Sequence, residues 1–333
     1  MTAIADLNAS VGLPARVASL RFDATVPRRL VHRASIAETF LTDAAEVGQD
    51  RFLVAAQLPR SHSMYNDGTG RYHDLLLLAE VVRQAGTLLS HRFYGVPEGS
   101  VFPLRRAQIE ITELDATARS DAASETVADV RISDHERQAG QLSSMSLNAD
   151  LIIDGQRAGS ASGAMHFVSR SSYDTLRRDR PPSDSDASPA AVARAEARRV
   201  GRCDARNVVV GELQRAGQAG HSCRVVADTR HPSFFDHPQD HLPGMLLLEA
   251  FRQTALLAVA DACAWAPDSL VVVACDAKFA RYAELDLEAN CSASVGEPRL
   301  PRRGEPWVPV SLRVTQQGAT LCDAVVRVAD AHR

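Results

Sequence analysis

Lysine is almost missing from this chain of 333 residues: Lys278 is the only one, and arginine carries the remaining positive charge. The formal net charge of −4 provides no basic field to condense on nucleic acid. No basic stripe interleaved with aromatics and no zinc-spaced Cys/His set accompanies it, so nucleic-acid binding is disfavoured. No C-x-x-C pair occurs. The six cysteines (Cys203, Cys223, Cys263, Cys275, Cys291, Cys322) are scattered through the second half, which suits reduced thiols packed as small apolar groups. No apolar run approaches the roughly 20 residues that a membrane helix needs, and Asp6 and Asn8 break the only candidate for a secretory signal. A cytoplasmic protein with no membrane partner is expected. Gly-rich phosphate loops, nucleophile elbows and H-E-x-x-H are also absent. Neither a metal nor a cofactor is expected.

What is present repeats itself. Glu-x-x-Arg-Gln occurs as Glu80, Arg83, Gln84 and again as Glu249, Arg252, Gln253, 169 positions apart (249 − 80). The same offset, without a gap, sets His62 on His231, Asp67 on Asp236, Leu77 on Leu246 and Leu78 on Leu247. Upstream it sets Val31 on Val200 and Arg33 on Arg202. A period of this length is too long for a solenoid and matches a compact domain, so it implies two tandem copies of one fold. A hydrophobic content of 45% with 23% charge lets both copies bury a core.

In the first copy a strand-like pattern from about Leu30 leads through Arg51 to Leu58. A loop from Pro59 to Tyr72 is rich in Ser, His, Asn, Asp and Gly. Asp74 is placed to cap a helix from Leu75 to about Leu89, apolar on nearly every face except at Glu80, Arg83 and Gln84. Alternating segments follow at 107–114, 125–132, 144–153 and 158–168, with Asp154-Gly155 as a hairpin turn. The second copy keeps this order: 208–213, 222–227, a loop over 231–242, a helix from Pro243 to about Ala262, then strands near 270–279, 289–295, 308–315 and 320–328. The composition predicts an N-terminal extension over 1–25, a first repeat over 26–170, a Pro/Ser/Asp-rich linker over 171–199 and a second repeat over 200–331. A long apolar helix followed by antiparallel strands, done twice, is an α+β double hotdog, a pseudo-dimer in one chain.

Glu249, Arg252 and Gln253 fall on one helix face, as do Glu80, Arg83 and Gln84. On a solvated helix such a pair would contribute only about 0.2–0.5 kcal/mol. Here Leu246, Leu247, Leu248, Ala250 and Phe251 flank the carboxylate, and an unpaired charge in that setting is costly. Retaining it in both copies points to use. Pro243-Gly244-Met245 opens the second helix; glycine lets a ligand approach the unpaired amides there, which can receive an oxyanion or a thioester carbonyl. The first copy has Asp74-Leu75 instead, so the two sites are not equivalent. Of the loop histidines His62, His73, His231, His237 and His241, the repeated pair His62/His231 is read as structural, bonding loop backbone. Asp67 and Asp236 are read as turn formers.

The run from His231 through Asp240-His241-Leu242-Pro243-Gly244-Met245 to Glu249-Ala250-Phe251-Arg252-Gln253 closely resembles the signature of the A-factor synthase (AfsA-like) family. Arg71-Tyr72-His73-Asp74 through Glu80 and Arg83-Gln84 is similar to that family's N-terminal counterpart, and 30–33 and 282–286 extend the likeness over nearly the whole chain. The resemblance implies an acyltransferase in γ-butyrolactone, butenolide or furan signal biosynthesis. Such an enzyme moves a β-ketoacyl group from a carrier-protein or coenzyme A thioester to dihydroxyacetone phosphate. It implies Glu80 and Glu249 as bases and Arg83 and Arg252 as phosphate anchors. Gln84 and Gln253 would orient the carboxylates or the acyl carbonyl, and the amides at Gly244 and Met245 would bind the oxyanion. A hotdog thioesterase, a dehydratase and a non-catalytic acyl-ligand sensor are the rival readings. The dehydratase histidine would be needed near Phe235, and His237 is out of step with it. The assembly is expected to be a pseudo-dimeric monomer or a homodimer.

Overall fold

A computed structural model describes residues 19–68, 70–178, 192–216, 220–300 and 304–331. Most of the expected N-terminal extension and the centre of the expected linker lie outside the described residues. The rest falls into two compact units, one within Met1–His62 and Arg71–Arg180, the other within Ser63–Gly70 and Pro181–Arg333.

In the first unit, β1 (Leu41–Gly48) and β2 (Arg51–Leu58) precede α1 (Leu75–Arg92). Then come β3 (Leu104–Ile111), β4 (Ser124–Gln138), β5 (Gln141–Ile153) and β6 (Gln156–His166). These pair antiparallel in the order β1-β2-β4-β5-β6-β3. The strand-like pattern after Leu30 resolves into a 3-10 turn at Arg28–Val31 and a hairpin whose turn residue Asp50 takes a φ of 51°. A short helix α2 (Arg170–Arg178) stands where linker was expected. Ser169 Oγ caps it by accepting from the Ser172 amide, Arg170 pairs with Asp174 one turn on, and Tyr173 is buried.

In the second unit, β7 (Gln214–Ala216) and β8 (Gly220–Arg224) precede α3 (Gly244–Cys263). Then come β9 (Leu270–Phe279), β10 (Asn290–Val295), β11 (Trp307–Gln316) and β12 (Ala319–Asp330). The order β7-β8-β10-β11-β12-β9 is the same topology as in the first unit. The apolar 208–213 segment forms only isolated bridges, Gly211 to Arg194 and Val210 to Val225. Asp154-Gly155 and Gln317-Gly318 make the corresponding hairpin turns, all four residues at positive φ, as a type I′ turn requires.

Both long helices are core elements. Leu75–Leu78, Val81, Ala85, Leu88 and Leu89 of α1 are buried, as are Leu246–Leu248, Phe251, Ala255 and Leu256–Val259 of α3. Each helix therefore lacks the polar stripe of a surface helix, and its few polar side chains must find partners inside.

Candidate active site

Those partners are arranged twice in the same way. In the first unit Glu80, fully buried, receives Arg33 Nε at 3.0 Å and Nη2 at 2.7 Å, Arg83 Nε and Nη2 at 2.8 Å each, and Gln84 Nε2 at 2.7 Å. In the second, Glu249 receives Arg202 Nε and Nη2 at 2.9 Å, Arg252 Nε and Nη2 at 2.7 Å, and Gln253 Nε2. The backbone contacts keep the 169-residue offset. Arg83 and Arg252 donate to the carbonyls of Val31 and Val200. Gln84 and Gln253 donate to those of Glu38 and Asn207 and accept from the amides of Phe40 and Val209. Each cluster thus fastens the segment before β1 or β7 to its central helix.

Burial pushes both carboxyls up, but the paired guanidinium groups, Arg33 and Arg83 or Arg202 and Arg252, outweigh it and hold each at about 2. Both oxygens of Glu80 and of Glu249 accept from these donors. A carboxylate held in this way is ionised at neutral pH and is a weak base. One carboxylate against two guanidinium groups leaves each cluster with one net positive charge. Nη1 of Arg83 and of Arg252 has no acceptor among the described residues, so each arginine keeps one donor edge unsatisfied. Gly201, at φ +68°, keeps that edge of Arg252 open: a Cβ there would lie 3.3 Å from Nη1. Arg33 and Arg202 carry no role in the motif reading because they lie 47 residues before their carboxylates. Their coincidence under the repeat was the signal.

The two helix starts differ as the sequence implies. Asp74 caps α1, its carboxylate accepting from the Leu76 amide at 2.9 Å. Pro243 offers α3 no side-chain cap; its carbonyl accepts from Leu246 and Leu247, and the amides of Gly244 and Met245 have no acceptor among the described residues. Just upstream, His241 Nδ1 lies 2.7 Å from the Asp240 carboxylate, with the imidazole about one-fifth exposed and edge-on to Tyr282. His237 accepts from Gln239 at 2.6 Å and lies 3.6 Å from buried Asp236. His231 Nδ1 accepts from the Ser233 and Phe234 amides while Nε2 meets Asn207, a loop-fastening role. His62 instead faces the Glu38 carboxylate at 3.4 Å. His73 is buried, and burial, with Arg119 nearby, lowers it to about 4. Asp67 accepts from the amides of Cys203 and Asp204, far along the chain, and is more than a local turn former.

A buried central helix followed by a run of antiparallel strands, done twice, is a double hotdog fold. The chain belongs to the AfsA family: the A-factor biosynthesis hotdog domain matches residues 15–169 and again 183–329. It is 36% identical over 268 residues to the 2-oxo-3-(phosphooxy)propyl 3-oxoalkanoate synthase of Streptomyces virginiae, covering 79% of this chain and 84% of that one. It is 34% identical over 271 residues to the enzyme of that name from Streptomyces coelicolor, covering 81% and 82%. Among solved structures, a Novosphingobium aromaticivorans protein described as a thioesterase has the same fold, with a TM-score of 0.50 at 10% identity over 86% of this chain and 97% of that one. Among the described residues no helix is long and apolar enough to cross a membrane.

Proposed function

We propose that this chain is a 2-oxo-3-(phosphooxy)propyl 3-oxoalkanoate synthase, transferring a 3-oxoacyl group from a thioester to a hydroxyl of dihydroxyacetone phosphate. The hydroxyl oxygen attacks the thioester carbonyl and loses its proton. The tetrahedral oxyanion collapses and a thiolate leaves, taking a proton. The donor is the thioester of a carrier protein or of coenzyme A, both of which present the same carbonyl. The observation that carries the reading is the 36% identity to a synthase of that name along 79% of the chain. The doubled, net-positive arginine clusters within it supply a site for a phosphorylated acceptor.

The second unit is the better equipped. The free amides of Gly244 and Met245 suit the oxyanion, a term of roughly 2.7–4 kcal/mol per donor in other enzymes, and Nη1 of Arg252 suits the phosphate. Glu249, saturated and ionised, serves to hold Arg202 and Arg252 in place, with Gln253 completing the clamp. Glu80, Arg83 and Gln84 form the equivalent clamp in the first unit. Proton removal passes to His241, the partly exposed imidazole oriented by Asp240 three residues before Gly244.

The test is to mix purified protein with a 3-oxoacyl thioester and dihydroxyacetone phosphate and follow the phosphorylated ester by mass spectrometry. Wild type forms the ester, and His241→Asn slows it by about 10²–10⁴-fold, the usual worth of a positioned base. Free acid as the sole product of wild type would replace transfer by hydrolysis.

A further inference from the structure

We infer that the carboxamide of Asn66 is a substrate-binding group that takes the hydroxyketone end of the acceptor, an assignment that rests on the function proposed above. Asn66 lies in Ser63–Gly70, the stretch of the first repeat that belongs to the second compact unit. Its neighbours are all engaged. The Ser63 carbonyl accepts from Asn207 Nδ2 at 2.7 Å and the Met64 carbonyl from Arg202 Nη1 at 2.8 Å. The Asp67 carboxylate accepts from the amides of Cys203 and Asp204 at 3.0 Å and from Asn207 Nδ2 at 2.9 Å. In the middle of this pinned stretch both Oδ1 and Nδ2 of Asn66 are buried, and neither has a hydrogen-bond partner among the described residues.

An amide buried without partners lowers stability, so the fold supplies no reason to keep one. The chain carries its own control. Under the 169-residue offset Asp67 falls on Asp236, but Asn66 falls on Phe235. The same place in the second repeat takes a large apolar side chain. An amide at this position is therefore a choice made for something other than folding.

The ligand chemistry follows from the group itself. A carboxamide sets one acceptor oxygen beside an NH2 donor. A hydroxyketone sets a hydroxyl donor beside a carbonyl acceptor on the adjacent carbon, which is the complementary pair. Dihydroxyacetone phosphate carries this pair at the end opposite its phosphate. The net-positive cluster around Glu249 suits the phosphate, and Arg202 of that cluster already holds the carbonyl two residues before Asn66. A 3-oxoacyl chain in its keto form offers acceptors alone and would satisfy half of the amide. Asn66 thus recognises the acceptor, holding the hydroxyl until the base takes its proton.

The experiment uses the full chain with Asn66→Leu, and Asn66→Asp as a second, isosteric variant. Thermal melting, calorimetric titration with dihydroxyacetone phosphate and with glycerol 3-phosphate, and turnover are measured together. Asn66→Leu is expected to melt no lower than wild type and to bind dihydroxyacetone phosphate roughly ten- to hundredfold more weakly. KM for the acceptor should rise alike, with KM for the thioester unchanged. Wild type should prefer dihydroxyacetone phosphate to glycerol 3-phosphate, and the leucine variant should lose that preference. Asn66→Asp keeps an acceptor, loses the donor and repels phosphate, so it too binds more weakly. Unchanged acceptor affinity in both variants would overturn the assignment, and so would a leucine variant that melts well below wild type. A wild type that binds dihydroxyacetone phosphate without transferring an acyl group would sink the proposed function and leave Asn66 standing. A wild type that does not bind it would sink Asn66.

Discussion

Glu249, fully buried, is held by two guanidinium groups and an amide, and that arrangement decides what its removal does. In Glu249→Ala, Arg202 and Arg252 would face each other unneutralised inside the second unit. Breaking a buried pair by deleting one partner costs about 3–5 kcal/mol, so a large drop in the urea midpoint is expected. A variant that unfolds like wild type would mean that the cluster is hydrated and open. Acid provides a gentler probe. The folded carboxyls of Glu80 and Glu249 sit at about 2 against an ordinary 4.5, so the unfolded chain takes up these protons first as pH falls. Their contribution to stability is complete above about 4.5 and is lost between there and about 2. Urea melts should show no dependence from this source between pH 6 and 8 and a steep loss below 4.5. A midpoint as high at pH 3 as at pH 6 would contradict the ion-pair geometry. His73 acts at higher pH. Burial lowers the folded imidazole to about 4 from 6.5, so the unfolded state protonates first and stability drops as pH falls from about 6.5 to 4. His73→Phe should flatten that limb.

At the scale of elements, the starts of α1 and α3 are one structure with two chemistries. Asp74 closes the first, whereas Pro243 leaves the amides of Gly244 and Met245 open. The offset puts Asp74 on position 243, so Pro243→Asp would transplant the cap. The cap should stabilise α3 by about 1 kcal/mol. It should also place a carboxylate where the oxyanion forms, and turnover is expected to fall by about 10²–10³-fold, the cost of losing one such donor. A variant more stable and equally active would remove the helix start from the site. These helices were legible in the chain because an apolar run on nearly every face, with an Asp or Pro just before it, has few other outcomes; α1 and α3 begin within a residue of the expected positions. The short segments were less legible. Val208–Gly211 has the apolar content of a strand but makes only single bridges, and Arg170–Arg178 has linker composition yet forms a helix once Tyr173 finds a buried seat. Packing decided both, and packing is not written in a local pattern.

At the scale of the molecule, duplication supplies two copies of each part and frees one to change. The offset of 169 recovered the tandem fold and both Glu-x-x-Arg-Gln faces. It could not show that Ser63–Gly70 belongs to the second unit, because that depends on Asp67 and Met64 meeting partners more than 130 residues away. Nor could a motif on one helix reveal that Arg33 and Arg202 convert an ordinary i, i+3 pair into a net-positive cluster. Divergence is what now separates the copies. The first has a capped helix and His73 sealed in the core, and the second has open amides, Asp240-His241 and the borrowed Asn66 loop. If transfer takes place in the second unit alone, arginine should matter there for catalysis and in the first for structure only. Lysine keeps the charge but loses the Nη1 group that Arg252 presents to a phosphate while its Nε and Nη2 hold Glu249. Arg252→Lys should therefore raise KM for dihydroxyacetone phosphate by about tenfold or more, the worth of one charge-assisted hydrogen bond, while Arg83→Lys should leave kcat and KM near wild type and lower only the melting temperature. Steady-state kinetics on the two folded variants decides the matter: equal rises in KM would give both units a working site, and a rise confined to Arg83→Lys would move the chemistry to the first.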